Sequence, residues 1–342
     1  MEERKANTTA VKIMVMAAIA VITVFISFFL GRYSLTPSKI FALLGERFFD
    51  LPAELENNAY IVFYKIRGPR VFAAFLVGAG LSLSGCAYQG VFRNPMVSPD
   101  ILGATAGAGM GAAIGLLFSL DLAGVQAISF VFGIIAVALT YSVASAVGRR
   151  GNMILTLVLA GMVVSALFQA GISLIKYVAD PYSKLPAITF WLMGSMSSIK
   201  ANDLPLIMIP LMIGAVPLFL MRWKINLLSF SDEEAESMGV NPSRIRKVII
   251  VCATLITASV VSVSGIIGWV GLIIPHLARM IVGPDHKILL PCSMIIGGTY
   301  LLLVDDVARS LMAMEIPLGI LTAIIGAPFF IYLMYRGRSE WL

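Results

Sequence analysis

Apolar runs of about membrane-spanning length, separated by short charged connections, set the pattern of this chain. Stretches free of Asp, Glu, Lys and Arg cover 13–31, 71–92, 101–120, 122–147, 151–175, 204–221, 248–278, 288–304 and 316–335. Most match the roughly 20 residues an α-helix needs to cross the hydrocarbon core. The run 248–278 is too long for one pass, since at about 1.5 Å per residue it would reach roughly 46 Å against a core of about 30 Å. Gly265, Gly268, Gly271 and Pro275 lie where a break is needed, and a short apolar segment continues to Val282 before Gly283-Pro284-Asp285. The pattern predicts an all-α, polytopic membrane protein of about ten helices, one transmembrane domain over residues 1–342, with the eighth span the least regular. Residues 13–31 are too long for the apolar core of a secretory signal and are followed by no A-x-A cleavage site, so they read as a retained first span.

Composition agrees with lipid as the solvent: of 342 residues, 59% are hydrophobic and 13% charged, about half the usual charged share. An even span count puts both termini on one side. With ten spans the whole net charge of +6 falls on the side of the N-terminus, and the positive-inside rule makes that side, and both termini, cytoplasmic. The surplus therefore calls for no nucleic-acid partner. Cys86, Cys252 and Cys292 sit far apart in apolar stretches, and His276 and His286 have no neighbouring ligand set, so neither a disulfide framework nor a metal site is expected. Ser82-Leu-Ser84-Gly85 recurs as Ser262-Val-Ser264-Gly265 five spans later. This is either an inverted five-helix repeat or the recurrence of small residues at helix contacts.

The connection between the sixth and seventh spans carries Ser231-Asp-Glu-Glu-Ala-Glu-Ser-Met-Gly239. Ser231 with Glu234 makes a capping box, Asp232 and Glu233 suit the positive end of the helix dipole, Gly239 suits a C-terminal turn, and Asn241-Pro242 starts the next helix. A helix of about seven residues is too short to stand alone, so the chain's own surface or a partner must pack against it. Arg93 to Gly103 reads as a tight turn: Pro95 blocks the second span's helix, Ser98 caps, Pro99 takes the first helical position and Asp100 meets the dipole.

These segments resemble the permease subunits of ABC importers for iron chelates, haem and cobalamin. The match rests on Ser231 to Val240, Ile66-Arg-Gly-Pro-Arg70, Arg93-Asn-Pro-Met-Val-Ser-Pro-Asp-Ile-Leu-Gly103, and Gly268-Trp-Val-Gly-Leu-Ile-Ile-Pro-His-Leu-Ala-Arg279 with Gly283-Pro-Asp-His286, and spans about residues 60–335. The resemblance implies a ten-helix permease of the cytoplasmic membrane that dimerises, sits on two ATP-binding subunits and receives substrate from a separate extracytoplasmic binding protein. Within a coupling segment at 228–243, Asp232, Glu233, Glu234, Ala235 and Gly239 would meet the ATPase. Arg67, Arg70 and Arg309 would pair with acids of the binding protein, although interfacial charges or a local Asp305–Arg309 pair account for them as well. Asn94 and Met96, with Arg149 and Asn152 in Gly148-Arg-Arg-Gly-Asn152, would form the cytoplasmic gate; a plain turn and positive-inside anchors would look the same. The pathway would be lined by the fifth and tenth spans with Pro186–Ser198, which includes Trp191, Met193 and Gly194, an apolar surface that suits a bulky ligand and that core packing explains equally well.

No G-x-x-x-x-G-K-[ST] occurs in the chain, so ATP and Mg would belong to the partner subunit and this chain would hold no cofactor. The reading is a homodimeric importer permease for a large metal chelate, iron-siderophore first, with haem or cobalamin next. The alternative is a secondary transporter using Asp305, Asp306 or Glu315 as coupling acids, but such acids belong near the midplane and these cluster at the outer edge. A membrane enzyme lacks a nucleophile, base and orienting group.

Overall fold

The computed structural model describes residues 2–49, 57–148, 153–312 and 314–336. The described residues form fifteen α-helices and short π and 3-10 turns, with no strand. In chain order the helices are α1 (Glu2–Ser27), α2 (Pro37–Phe49), α3 (Asn57–Tyr60), α4 (Gly68–Phe92), α5 (Ala104–Leu117), α6 (Leu122–Val147), α7 (Met153–Val178), α8 (Lys184–Leu192), α9 (Leu204–Leu220), α10 (Arg222–Leu227), α11 (Asp232–Ser237), α12 (Pro242–Ser264), α13 (Val270–Val282), α14 (His286–Ser310) and α15 (Leu318–Arg336). A π-helical stretch, Ile61–Arg67, joins α3 to α4.

Among the described residues, seven helices are long and apolar enough to cross a membrane, and α5, α13 and α15 are shorter apolar helices. These correspond to the apolar runs of the sequence. The predicted break falls at Gly265, which ends α12 with φ +71. A Cβ there would stand 2.3 Å from the Trp191 carbonyl oxygen, so both the backbone conformation and the contact require glycine. Gly271, just inside α13, lies against Gly85 near the middle of α4, so α13 begins inside the bundle rather than at its outer edge. Its entrance is irregular chain, tolerated at that depth where protein or a cavity surrounds it.

The centre of the bundle is α4, packed against α14, α12, α13 and α9. The α4–α14 contact is close because small residues face each other: a Cβ on Gly78 would meet the Gly297 carbonyl oxygen at 2.2 Å. Such crossings replace the hydrophobic effect, which lipid cannot supply between helices. The outer faces of α1, α6, α7 and α9 stay exposed and apolar.

The packing repeats in part, because α13 lies on α4 as α5 lies on α12, and these two short helices stand five spans apart. The recurring tetrapeptide is not equivalent in the two halves, however. Gly85 lies inside α4, whereas Gly265 lies past the end of α12. Among the elements the apolar pattern did not mark is the amphipathic α2, whose Ile40 and Leu43 are buried with Leu35, Ala59 and Phe63 in a satellite cluster. At the opposite end, Lys12 of α1 donates to the Ile281 carbonyl at the end of α13 (2.6 Å). This part of α1 therefore lies at the same end of the bundle as the close of α13.

Candidate functional site: two charged ends of one central helix

Two polar clusters cap the two ends of α4, about 35 Å apart at 1.5 Å per residue. The inner one forms around α11. Ser231 Oγ accepts from the Glu234 N–H (3.2 Å) and Glu234 Oε2 accepts from the Ser231 N–H (2.9 Å), which is the predicted capping box. The Ser231 N–H and hydroxyl hold the Glu234 carboxyl below its ordinary pKa. Gly239 follows at φ +78 with open space around it, and Asn241 Oδ1 caps α12 through the Arg244 N–H (2.9 Å).

The structure divides the five residues expected to meet the ATPase. Asp232, Glu233, Glu234 and Gly239 are exposed, together with Phe230 and Met238, which the sequence reading missed. Ala235 is fully buried against the chain itself, so it seats the helix and is not available to a partner. Asp232 is an anchor as well: Arg246 of α12 donates to both its oxygens (2.7 and 2.5 Å) and Arg93 donates to Oδ1 (2.9 Å). These guanidinium groups, Arg246 foremost, pull the Asp232 carboxyl below the ordinary aspartate range. Arg93, the left-handed C-cap of α4, also donates to the Leu228 carbonyl. The short helix is thus fastened to the ends of two packed transmembrane helices, α4 and α12. That junction was invisible in the sequence because its partners lie 14 and 139 positions apart.

The adjoining turn departs from expectation. Ser98 occupies an N-cap position with Pro99 after it, but its hydroxyl makes no capping bond, and the following turn is a 3-10 stretch, Pro99–Leu102. α5 starts separately at Ala104, and Asp100 accepts from the Thr105 hydroxyl. Asn94 Oδ1 accepts from the Met96 N–H (2.9 Å), closing an Asx turn, and both residues are exposed at this end of the bundle. Arg149 and Asn152, the other gate candidates, lie outside the described residues.

At the outer end the three arginines expected to dock the binding protein are engaged within the chain itself. Arg67, Arg70 and Arg309 are only 4%, 7% and 6% exposed. Arg67 donates to the carbonyls of Phe28 (2.8 Å) and Tyr33 (2.5 Å). Arg70 makes a fork to Asp305 (2.9 Å from Nε to Oδ2 and from Nη2 to Oδ1) and pairs with Glu315 (2.8 Å). Arg309 donates to the Ser27 and Leu30 carbonyls and to Asp306 (2.5 Å). The Asp305–Arg309 pair read as a local alternative is loose at 3.7 Å, because Asp305 turns to α4. These donors tie α1, α4 and α14 together, and a binding protein would find them already occupied. The three candidate coupling acids are the same carboxylates, each held by an arginine.

Beside this cluster opens a cavity of about 490 Å³, lined by Phe190 and Trp191, by Ser195, Ser197, Ser198 and Ser264, and by Glu315. Its wall is fixed through the backbone. The Ser195 N–H donates to the Ser264 carbonyl (2.8 Å), and the N–H groups of Leu318 and Gly319 donate to the carbonyls of Gly194 and Met193 (2.9 and 3.0 Å). The stretch 186–198 thus meets the broken end of α12 and the start of α15. The expected Trp191 lines the cavity, whereas Met193 and Gly194 act through their backbone. Ser195, Ser197 and Ser198 fall within the stretch expected to line the pathway, though the sequence singles out none but its end residue, and Ser264 enters only as part of the recurring tetrapeptide. No group of three or more His, Cys, Asp or Glu side chains that could hold a metal occurs among the described residues.

The FecCD transport family profile matches residues 19–336. The chain belongs to this family. It is 43% identical over 316 residues to the molybdate import system permease MolB of Haemophilus influenzae, covering 92% of this chain and 93% of that one. It is also 43% identical over 283 residues to an iron chelatin transport system permease of Helicobacter pylori, with 83% and 85% covered. Among solved structures, an inward-facing metal-chelate type ABC transporter superposes with a TM-score of 0.85 at 40% identity, covering 95% of this chain and 98% of that one. The FecCD chain described here is accordingly a multi-pass permease subunit of an ABC transporter, a transport component and not an enzyme. Its family implies ATPase and substrate-binding partners, and the gradient-driven alternative falls away.

Proposed function

We propose that two copies of this permease form the pathway of an ATP-driven importer for a bulky metal chelate, an iron-siderophore in the first place, with both termini in the cytoplasm. The carrying observation is the outer cavity. Its volume of about 490 Å³ lies in the range of sites for drug-sized ligands, far above what a tetrahedral oxyanion needs. Aromatic faces and serine hydroxyls suit a large, partly apolar, hydrogen-bonding ligand. The charged side chain in its lining is a carboxylate, Glu315, balanced by Arg70, which is poor chemistry for a bare dianion.

On this reading the exposed Phe230, Glu233, Glu234, Met238 and Gly239 meet the ATPase. Asn94 and Met96 stand at the inner gate, one turn from the Arg93 link to α11. Molybdate is the second reading, favoured by the relative that covers 92% of the chain. Proteoliposomes holding the permease, its ATPase and its binding protein, loaded in parallel with radiolabelled ferric siderophore and radiolabelled molybdate, separate the two. ATP-dependent accumulation of the siderophore supports the proposal, and accumulation of molybdate alone overturns it.

A further inference from the structure

A second cavity, of about 350 Å³, lies between α6 and α12, away from both charged clusters. Its lining from α6 is Ile134, Val137, Ala138, Tyr141 and Ser142, one face at helical spacing. From α12 come Lys247, Ile250, Val251 and Thr254. The two helices run antiparallel, with Gly133 against Ala258, so Tyr141, Ser142 and Lys247 gather at one end, and the rest is aliphatic but for Thr254, whose hydroxyl bonds to that of Tyr88. That end is the α11 end, because Lys247 follows Arg246, the anchor of Asp232. Arg244, one turn below Lys247, is exposed as Lys247 is. From Ile134 to Ser142 the groove runs about 12 Å, within the roughly 15 Å depth of a single leaflet.

We propose that this groove is a binding site for one anionic glycerophospholipid of the cytoplasmic leaflet, an acyl chain lying along Ile134, Val137, Ala138, Ile250 and Val251 and the phosphate meeting Lys247 and Arg244. The chemistry is complementary at both ends. An apolar trough is closed by cations with no acidic side chain in its lining, and a basic residue near an anionic surface is worth about a fivefold gain in affinity. Tyr141, amphipathic and half-buried, stands where an aromatic side chain favours the headgroup level. The site is independent of which substrate is carried. Because Lys247 adjoins the Asp232 anchor, a lipid held there sits beside the helix that faces the ATPase.

The test is native mass spectrometry of the detergent-purified permease titrated with dioleoyl phosphatidylglycerol or dioleoyl phosphatidylcholine. The proposal expects preferential retention of phosphatidylglycerol in the intact chain, a loss of about fivefold in K247Q, and no loss in K287Q, a change at another exposed lysine of the same end. Ala138→Trp, which fills the trough from its open side and leaves both cations in place, should abolish retention. Equal losses in K247Q and K287Q, or undiminished retention in the Ala138→Trp variant, would overturn the site and leave only a general attraction of basic residues for anionic lipid. Elution of the variants as single monodisperse species by size exclusion keeps a folding defect from imitating a loss of binding.

Discussion

Replacing Arg70 separates a buried structural charge from a docking one. Its guanidinium has two acidic partners, and their burial decides which matters. Asp305 is completely buried, whereas the Glu315 side chain is one-third exposed and can be solvated when its partner is lost. In Arg70→Met, Asp305 keeps only the 3.7 Å contact with Arg309, and breaking a buried pair by removing one partner costs about 3–5 kcal/mol. Glu315→Gln removes only the part-exposed half, within about 1 kcal/mol. Asp305→Asn falls between, because Arg70 retains Glu315. The double variant R70M/D305N should recover much of the loss of R70M, since no unpaired charge then remains buried. Thermal stability of the detergent-purified permease, read as monodisperse protein remaining after heating, should rank wild type, E315Q, D305N and R70M in falling order. Binding-protein affinity, measured on protein kept well below its transition, should change little. An unaltered transition in R70M together with weakened docking would refute the reasoning and restore the docking role.

Other expectations follow from the inner cluster and the broken helix. Ser231→Ala removes the cap of α11 at a local cost of about 1 kcal/mol; hydrogen exchange across 231–239 should accelerate, and uptake per ATP hydrolysed should fall while the permease stays folded. Gly239→Val forces a β-branched residue into a left-handed conformation and should lower coupling in the same assay. The Asp232 pKa is depressed in the folded state, so its contribution is fully present above the ordinary aspartate value of about 3.9 and is lost as pH falls through the lower folded value. Protection of 231–239 should therefore be level between about pH 8 and pH 5 and drop only in stronger acid. Gly265→Val places side-chain atoms on the Trp191 carbonyl and should destabilise the permease and close the outer cavity, seen as lost uptake with ATPase binding retained.

The sequence disclosed what depends on neighbours along the chain. The apolar runs located the transmembrane helices, the glycines located the end of α12, and Ser231 with Glu234 located a helix whose capping bonds form as spaced. What escaped it depends on contacts across the fold. Arg70 and Asp305 are 235 positions apart, and no periodicity can show that α4 and α14 cross closely enough to pair them, so a resemblance read Arg67, Arg70 and Arg309 as surface groups. Ala235 looks like part of an exposed acidic helix until the fold buries it, and Asp232, still exposed, shows its partners Arg93 and Arg246 only once α4 and α12 are placed beside it. The stretch 186–198 is expected to line the pathway, but that its serines share a cavity with Ser264 shows only where 195–198 meets the end of α12. Ser98 shows the converse, a sound local signal for a cap that the 3-10 turn and Gly103 override.

ATP-driven uptake in proteoliposomes is the most direct test of the account. With this permease, its ATPase and its binding protein reconstituted, and ATP supplied on the face carrying α11, accumulation of the ferric chelate should require hydrolysable ATP and persist when ionophores collapse proton and sodium gradients. Accumulation that needs no ATP and vanishes with those ionophores would contradict it.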